Sequence, residues 1–123
     1  MNAKTVLLIC LCALSIKATC ESADPPAAAE EIHLHGILHL NAGPNDVMAY
    51  VDSNTVYIYF NQNFGIVNVT LYNPLGATIY NGVVNTAVQQ QVTIPITFTL
   101  EGTYTVVLEN TFGYVDGDFN KSL

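Results

Sequence analysis

The sequence predicts an all-β domain: an antiparallel sandwich of about seven or eight strands. Three observations carry this. From Ile32 onward apolar residues recur with period two, the signature of strands with one buried face. The runs are rich in β-branched and aromatic residues, which suit a pleated surface. Turn formers punctuate them at short, regular intervals. No segment after Glu31 carries the 3.6-residue period of an amphipathic helix.

The elements follow in order. Ile32–Leu40 alternates leucines with histidines and ends at Asn41-Ala42-Gly43-Pro44-Asn45. Asp52-Ser53-Asn54 is the next turn. Val56, Ile58 and Phe60 then alternate with Tyr57 and Tyr59. After Asn61-Gln62-Asn63, Val67, Val69 and Leu71 alternate with Asn68, Thr70 and Tyr72. Asn73-Pro74-Leu75-Gly76 is a sharp turn, with proline presetting φ at its second position and Gly76 suited to its fourth. Val92, Ile94 and Ile96 form a strand containing Pro95, which cannot donate a ladder hydrogen bond and so belongs at a sheet edge or a break. Glu101-Gly102 precedes Tyr104, Val106 and Leu108, and Asn110–Gly113 closes that strand.

The N-terminal part reads differently. Lys4 precedes the apolar run Val6–Ile16, about eleven residues, too short to span a ~30 Å hydrocarbon layer as a helix but matched to a secretory signal. Residues 1–20 are therefore expected to be a signal peptide, with small residues Ala18, Thr19 and Cys20 near the cleavage site. Cys20 is also a candidate lipidation site, although lipoprotein processing takes Gly, Ala or Ser where Thr19 stands. Residues 21–31, with Pro25-Pro26 and an Ala-rich acidic end, are expected to form a flexible tether. The sandwich is assigned to residues 32–123.

Charge narrows the function classes. The chain has 3 Lys+Arg against 10 Asp+Glu and a formal net charge of -7. Nucleic-acid binding needs a basic stripe to displace counterions, so a nucleic-acid partner is excluded. Removal of residues 1–20 leaves Lys121 as the sole lysine, with no arginine and no internal cysteine. The exported domain must hold together by apolar burial and sheet hydrogen bonds.

Two stretches carry a family resemblance: VYIYFNQNFGIVNVTLYNPLGATIYNG at residues 56–82, and LEGTYTVVLEN at residues 100–110, followed by Gly117-Asp118-Phe119. Together with the export signal, they resemble the domain-of-unknown-function family three-two-four-four, small exported proteins of Gram-negative gut anaerobes. The resemblance covers nearly all of residues 32–119 and implies an immunoglobulin-like β-sandwich. It implies no activity and no catalytic residues. The Gly-x-Tyr-x-Val pattern is also similar to the carboxy-terminal sorting domains of type IX secretion. An export signal rather than cargo precedes this domain, which fits the free-standing family better. In immunoglobulin-like sandwiches a tyrosine at a corner such as Gly102-Thr103-Tyr104 can bond back to upstream backbone, so Tyr104 is read as structural.

Three groups of residues are candidate sites. His33, His35 and His39 share strand parity, and two imidazoles about 7 Å apart along a strand can share a zinc or copper ion. The same pattern is equally a polar face opposite Leu34, Leu38 and Leu40, and Gly36 can bulge the strand and break the parity. Asp116-Gly117-Asp118, with Asp46 or Asp52, offers oxygen ligands without a full calcium-loop pattern. Tyr57, Tyr59 and Tyr72 lie on the parity opposite the core, where tyrosines either stack on a ligand or pair across strands.

No nucleophile elbow and no Gly-rich phosphate loop occur. The expectation is therefore a non-enzymatic, cofactor-free, exported module for extracytoplasmic binding or adhesion, with a protein or glycan partner meeting Tyr57, Tyr59 and Tyr72. Its location is periplasmic, outer-membrane-associated or extracellular, with membrane contact only if Cys20 is lipidated. The alternatives are a sheet-edge partner in a cell-envelope assembly and a metal protein using His33, His35 and His39. Oligomeric state is not readable from sequence.

Overall fold

Side chains alternate across a strand, so a strand buried on one face places every second residue in the core. The computed structural model describes residues 25–38 and 46–123, and in it this rule builds two sheets. The strands are β1 (Glu30–Ile32), β2 (His35–Gly36), β3 (Val47–Val51), β4 (Thr55–Phe60), β5 (Ile66–Tyr72), β6 (Thr78–Asn85), β7 (Gln91–Pro95), β8 (Gly102–Glu109) and β9 (Tyr114–Lys121). One sheet has the order β1-β3-β4-β7 and the other β2-β9-β8-β5-β6. Every pairing is antiparallel. Among the described residues there is no helix.

The inner faces meet in one core. Val56, Ile58 and Phe60 of β4 come from one sheet; Val67, Val69 and Leu71 of β5 and Tyr104, Val106 and Leu108 of β8 come from the other. Burial of each such aliphatic side chain stabilises the fold by about 1.5–3 kcal/mol. The described residues contain no cysteine, so this burial and the ladders hold the sheets together. Thr86 is a fully buried polar residue. Its hydroxyl accepts from the Phe64 N–H at 2.7 Å and donates to the Gly65 carbonyl at 2.8 Å, which satisfies groups that would otherwise be stranded.

The expected turn at Asn73–Gly76 forms. The Gly76 N–H donates to the Asn73 carbonyl at 2.9 Å, the Asn73 side chain accepts from the N–H groups of Leu75 and Ala77, and Gly76 sits at φ 83. β7 ends at Pro95 and lies at the edge of its sheet, where the missing donor breaks no ladder bond.

The N-terminal region departs from expectation in two ways. Glu30 and Glu31 pair with Val51 and Tyr50, so the sheet starts inside the segment read as a tether. Ile32–Leu40 is not one regular strand: β1 belongs to the first sheet and β2 to the second. The chain crosses between sheets at His33-Leu34. It passes over Gly117, where a Cβ would stand 2.7 Å from the His33 carbonyl oxygen. The split brings the strands among the described residues to nine, where seven or eight were expected. Residues 1–20 with Cys20, and His39 with the Asn41–Asn45 turn, lie outside the described residues.

Candidate functional site: an aromatic sheet face

Asp52-Ser53-Asn54 joins β3 to β4 as a tight hairpin, and its register decides which side chains meet. Asp52 receives the N–H groups of Asn54 and Thr55 on one carboxylate oxygen, at 3.0 and 2.9 Å, while its own N–H donates to the Thr55 carbonyl. This closure sets Tyr50 opposite Tyr57 and Met48 opposite Tyr59. These four side chains share the face turned away from the core, since Ala49, Val51, Val56 and Ile58 occupy the inner face.

The face is ordered by direct contacts. Tyr50 meets Tyr59 edge-on, with ring centroids 5.8 Å apart. Tyr59 is only 9% exposed although it lies on the outer face. The Tyr57 hydroxyl donates to the second carboxylate oxygen of Asp52 at 2.7 Å. The backbone bond from Asn54 and the hydroxyl bond from Tyr57 hold the Asp52 carboxyl below its ordinary range. The same bond to Asp52 raises the Tyr57 phenol above its ordinary range. Asp52 thus stays ionised and Tyr57 protonated around neutrality, and the Tyr57 ring is held in one orientation with half-buried Tyr50 beside it. An arrangement of this kind can stack on or pack against a partner.

Tyr72 is not part of this face. It lies on β5, in the other sheet, between Thr78 of β6 and Thr105 of β8. The expected grouping of Tyr57, Tyr59 and Tyr72 therefore divides, because β4 and β5 are consecutive in sequence but face each other across the core. Tyr50 and Met48 complete the face instead. Their signal was available: a tight turn at 52–54 implies a hairpin in which residues 47–51 run back along 56–60.

His33 and His35 do not lie on one strand. His33 lies in the crossover and His35 on β2, opposite Asp116 of β9. Gly36, at φ 121, ends the regular stretch. Among the described residues no group of three or more His, Cys, Asp and Glu could hold a metal ion. Asp118 accepts the Thr105 hydroxyl at 2.8 Å, Asp46 accepts the Gln62 amide at 2.7 Å, and Asp52 is engaged as described. Asp116 and Asp118 lie on β9, whereas Asp46 and Asp52 flank β3 of the other sheet, and Gly117 between Asp116 and Asp118 serves to clear the crossover. No helix among the described residues is long and apolar enough to cross a membrane.

Tyr104 lies at the start of β8, after the segment that carries the chain from one sheet to the other. Its ring is buried and its hydroxyl donates to the Leu100 carbonyl at 2.7 Å. Phe98 meets it edge-on at 5.0 Å and Phe119 stacks on it at 5.5 Å. Gly102, at φ 131, has Pro74 against it: a Cβ there would come within 2.9 Å of the proline ring. One tie was not foreseen. The Asn110 amide donates to the carbonyls of Leu38 and Phe64, at 2.8 and 3.0 Å, while its oxygen accepts from Phe112 and Gly113.

Comparison with known proteins agrees with this architecture. The family model described as Domain of unknown function (DUF3244) matches residues 39–121. A crystal structure of a DUF3244 family protein with an immunoglobulin-like β-sandwich fold, from Bacteroides vulgatus ATCC 8482, is similar with a TM-score of 0.63 and 15% sequence identity. The match covers 76% of this chain and 99% of that one. No curated protein matches. With an immunoglobulin-like sandwich of two antiparallel sheets and a family match over most of its length, the chain belongs to the DUF3244 family, whose function is unknown.

Proposed function

We propose that this protein is an exported, non-enzymatic binding module that engages a protein or glycan outside the cytoplasm through the outer face of β3 and β4. The observation that carries this reading is the hairpin register that sets Tyr50 against Tyr57 and Met48 against Tyr59 on a face turned from the core. Outer sheet faces are ordinarily polar. Tyrosine combines a large rigid ring with a polar tip, and few rotamers are lost when it is gripped. The Asp52 bond to Tyr57 adds preorganisation, which favours affinity by lowering the cost of ordering. Export rests on the apolar run Val6–Ile16 behind Lys4. Intact-mass measurement of the protein isolated from its own cells tests it, fixing the cleavage site and showing whether Cys20 carries a lipid.

Binding is tested on a glycan array and by capture from the extracytoplasmic fraction of the same cells. Tyr50→Ser and Tyr57→Ser leave the core untouched and are expected to abolish capture. A captured partner retained by both variants would overturn the assignment of this face.

A further inference from the structure

The charges of the sandwich are divided unevenly between its sheets. β1, β3, β4 and β7 carry no lysine, arginine or histidine, and their only charged residues are Glu30 and Glu31. Lys121 belongs to β9 in the other sheet. Its ammonium is already engaged by the Asp52 carbonyl and the Phe98 ring.

The register carries this imbalance onto the tyrosine face. Glu31 stands opposite Tyr50, Tyr50 opposite Tyr57, and Tyr57 opposite Thr93, in one row across all four strands. Side chains directly opposite on one face have Cβ atoms about 4.5–5.5 Å apart. Exposed Glu31 therefore borders the half-buried Tyr50 ring. The row is rich in acceptors. An ionised carboxylate accepts and does not donate. The Tyr57 hydroxyl gives its proton to Asp52 at 2.7 Å, which leaves its oxygen as an acceptor. The Tyr50 hydroxyl is directed at the Met48 sulfur, 3.8 Å away. Acceptors beside aromatic rings suit a flat cationic donor. A guanidinium has five N–H donors and no acceptor, stacks on aromatic faces and pairs with carboxylates.

We propose that the partner of this face is a protein presenting an arginine, whose guanidinium lies over Tyr50 and donates to the Glu31 carboxylate. The inference rests on the β3–β4 face being the binding surface, and it names the chemistry that the face selects. A formal charge of -7 favours the approach of a basic partner and repels an acidic one. A neutral glycan gains less from such a row, because its hydroxyls both donate and accept while the two phenol protons are directed within the molecule.

The test is amide NMR on isotope-labelled protein, purified after expression at full length so that any processing has occurred. Two end-blocked peptides of equal length are the probes, one alternating glycine with arginine and one alternating glycine with glutamine. The arginine peptide is expected to shift the signals of Glu31, Tyr50 and Tyr57, and the glutamine peptide to leave them in place. Glu31→Gln is expected to weaken arginine-peptide binding roughly two- to fivefold, the size of an exposed ion pair. Tyr50→Leu is expected to weaken it by a similar factor through loss of the cation–π contact. Shifts confined to Glu109, Asp116 and Asp118 on the other sheet, or equal binding by Glu31→Gln, would overturn the proposal. The partner captured from the cells separates this inference from the wider reading. Capture lost in Tyr50→Ser yet indifferent to Glu31→Gln, or a neutral glycan shifting the same signals, removes the arginine and keeps the face. Capture retained in Tyr50→Ser removes the face itself.

Discussion

The hydroxyl of Tyr104 and the carbonyl of Leu100, 2.7 Å apart, pin the chain where it passes from one sheet to the other. The Tyr104 ring packs in a cluster with partly buried Phe98 and buried Phe119. Tyr104→Phe keeps the ring and removes the bond. It is expected to cost about 1 kcal/mol, read from the midpoint of urea unfolding. Tyr104→Ala, which also empties the core, is expected to cost about 3–5 kcal/mol. Equal losses in the two variants would show that the bond, not the ring, dominates.

The Asp52–Tyr57 bond links stability to pH at both extremes. The Asp52 carboxyl is held low, first by the Asn54 backbone and then by Tyr57. Its contribution is therefore present above the ordinary carboxylate range of roughly pH 4, and is lost as pH falls through the lowered value. Tyr57 is shifted upward by Asp52. Its contribution is present below the ordinary phenol range, roughly pH 10, and is lost as pH rises through the raised value. Asp52→Asn is expected to flatten the acid limb of the stability curve. Carbon NMR of the Asp52 carboxyl and ultraviolet titration of Tyr57 against Tyr57→Phe check the two signs directly.

Lys121 donates to the Asp52 carbonyl at 3.0 Å and sits 4.7 Å from the centre of the Phe98 ring. A cation over an aromatic face contributes about 0.5–1 kcal/mol where partly exposed. Lys121→Met is expected to cost about that much, measured by thermal unfolding. Lys121 is also the only lysine or arginine after Lys17. Trypsin is therefore expected to release no internal fragment from the described domain even after denaturation, only the terminal Ser122-Leu123. A mass spectrum with several internal tryptic peptides would contradict this.

Asn110 closes the β8–β9 turn on itself and ties it to Leu38 and Phe64. Asn110→Ala strands several backbone groups at once. It is expected to cost about 1–3 kcal/mol and to raise amide hydrogen exchange at Phe112 and Gly113 before that of β9. Uniform exchange across β9 would mean that the tie is not local.

The long strands were legible because each buries one face and a slip of one residue would turn that face to water. Val56-Ile58-Phe60, Val67-Val69-Leu71 and Val106-Leu108 state their orientation locally. What period two does not state is which sheet a strand joins. That is why Tyr72 was grouped with Tyr57 and Tyr59: its parity was read within β5, but its sheet depends on pairing with β8, far along the chain. The same holds for Ile32–Leu40. Its break is decided by β3 on one side and β9 on the other, and Gly36 was the one local sign of it. Tyr50 meets its partner Tyr57 only through the Asp52 turn, so neither strand alone states the pair.

Glu30 pairs with Val51 beside the same Asp52 that Lys121 reaches. The chain therefore enters and leaves the described domain at one pole. Exposed Ile37, Ile66 and Phe112 gather at the opposite pole, where Asn110 binds Leu38 and Phe64. Both ends of the described domain share that pole, and the greasy tip points away from them.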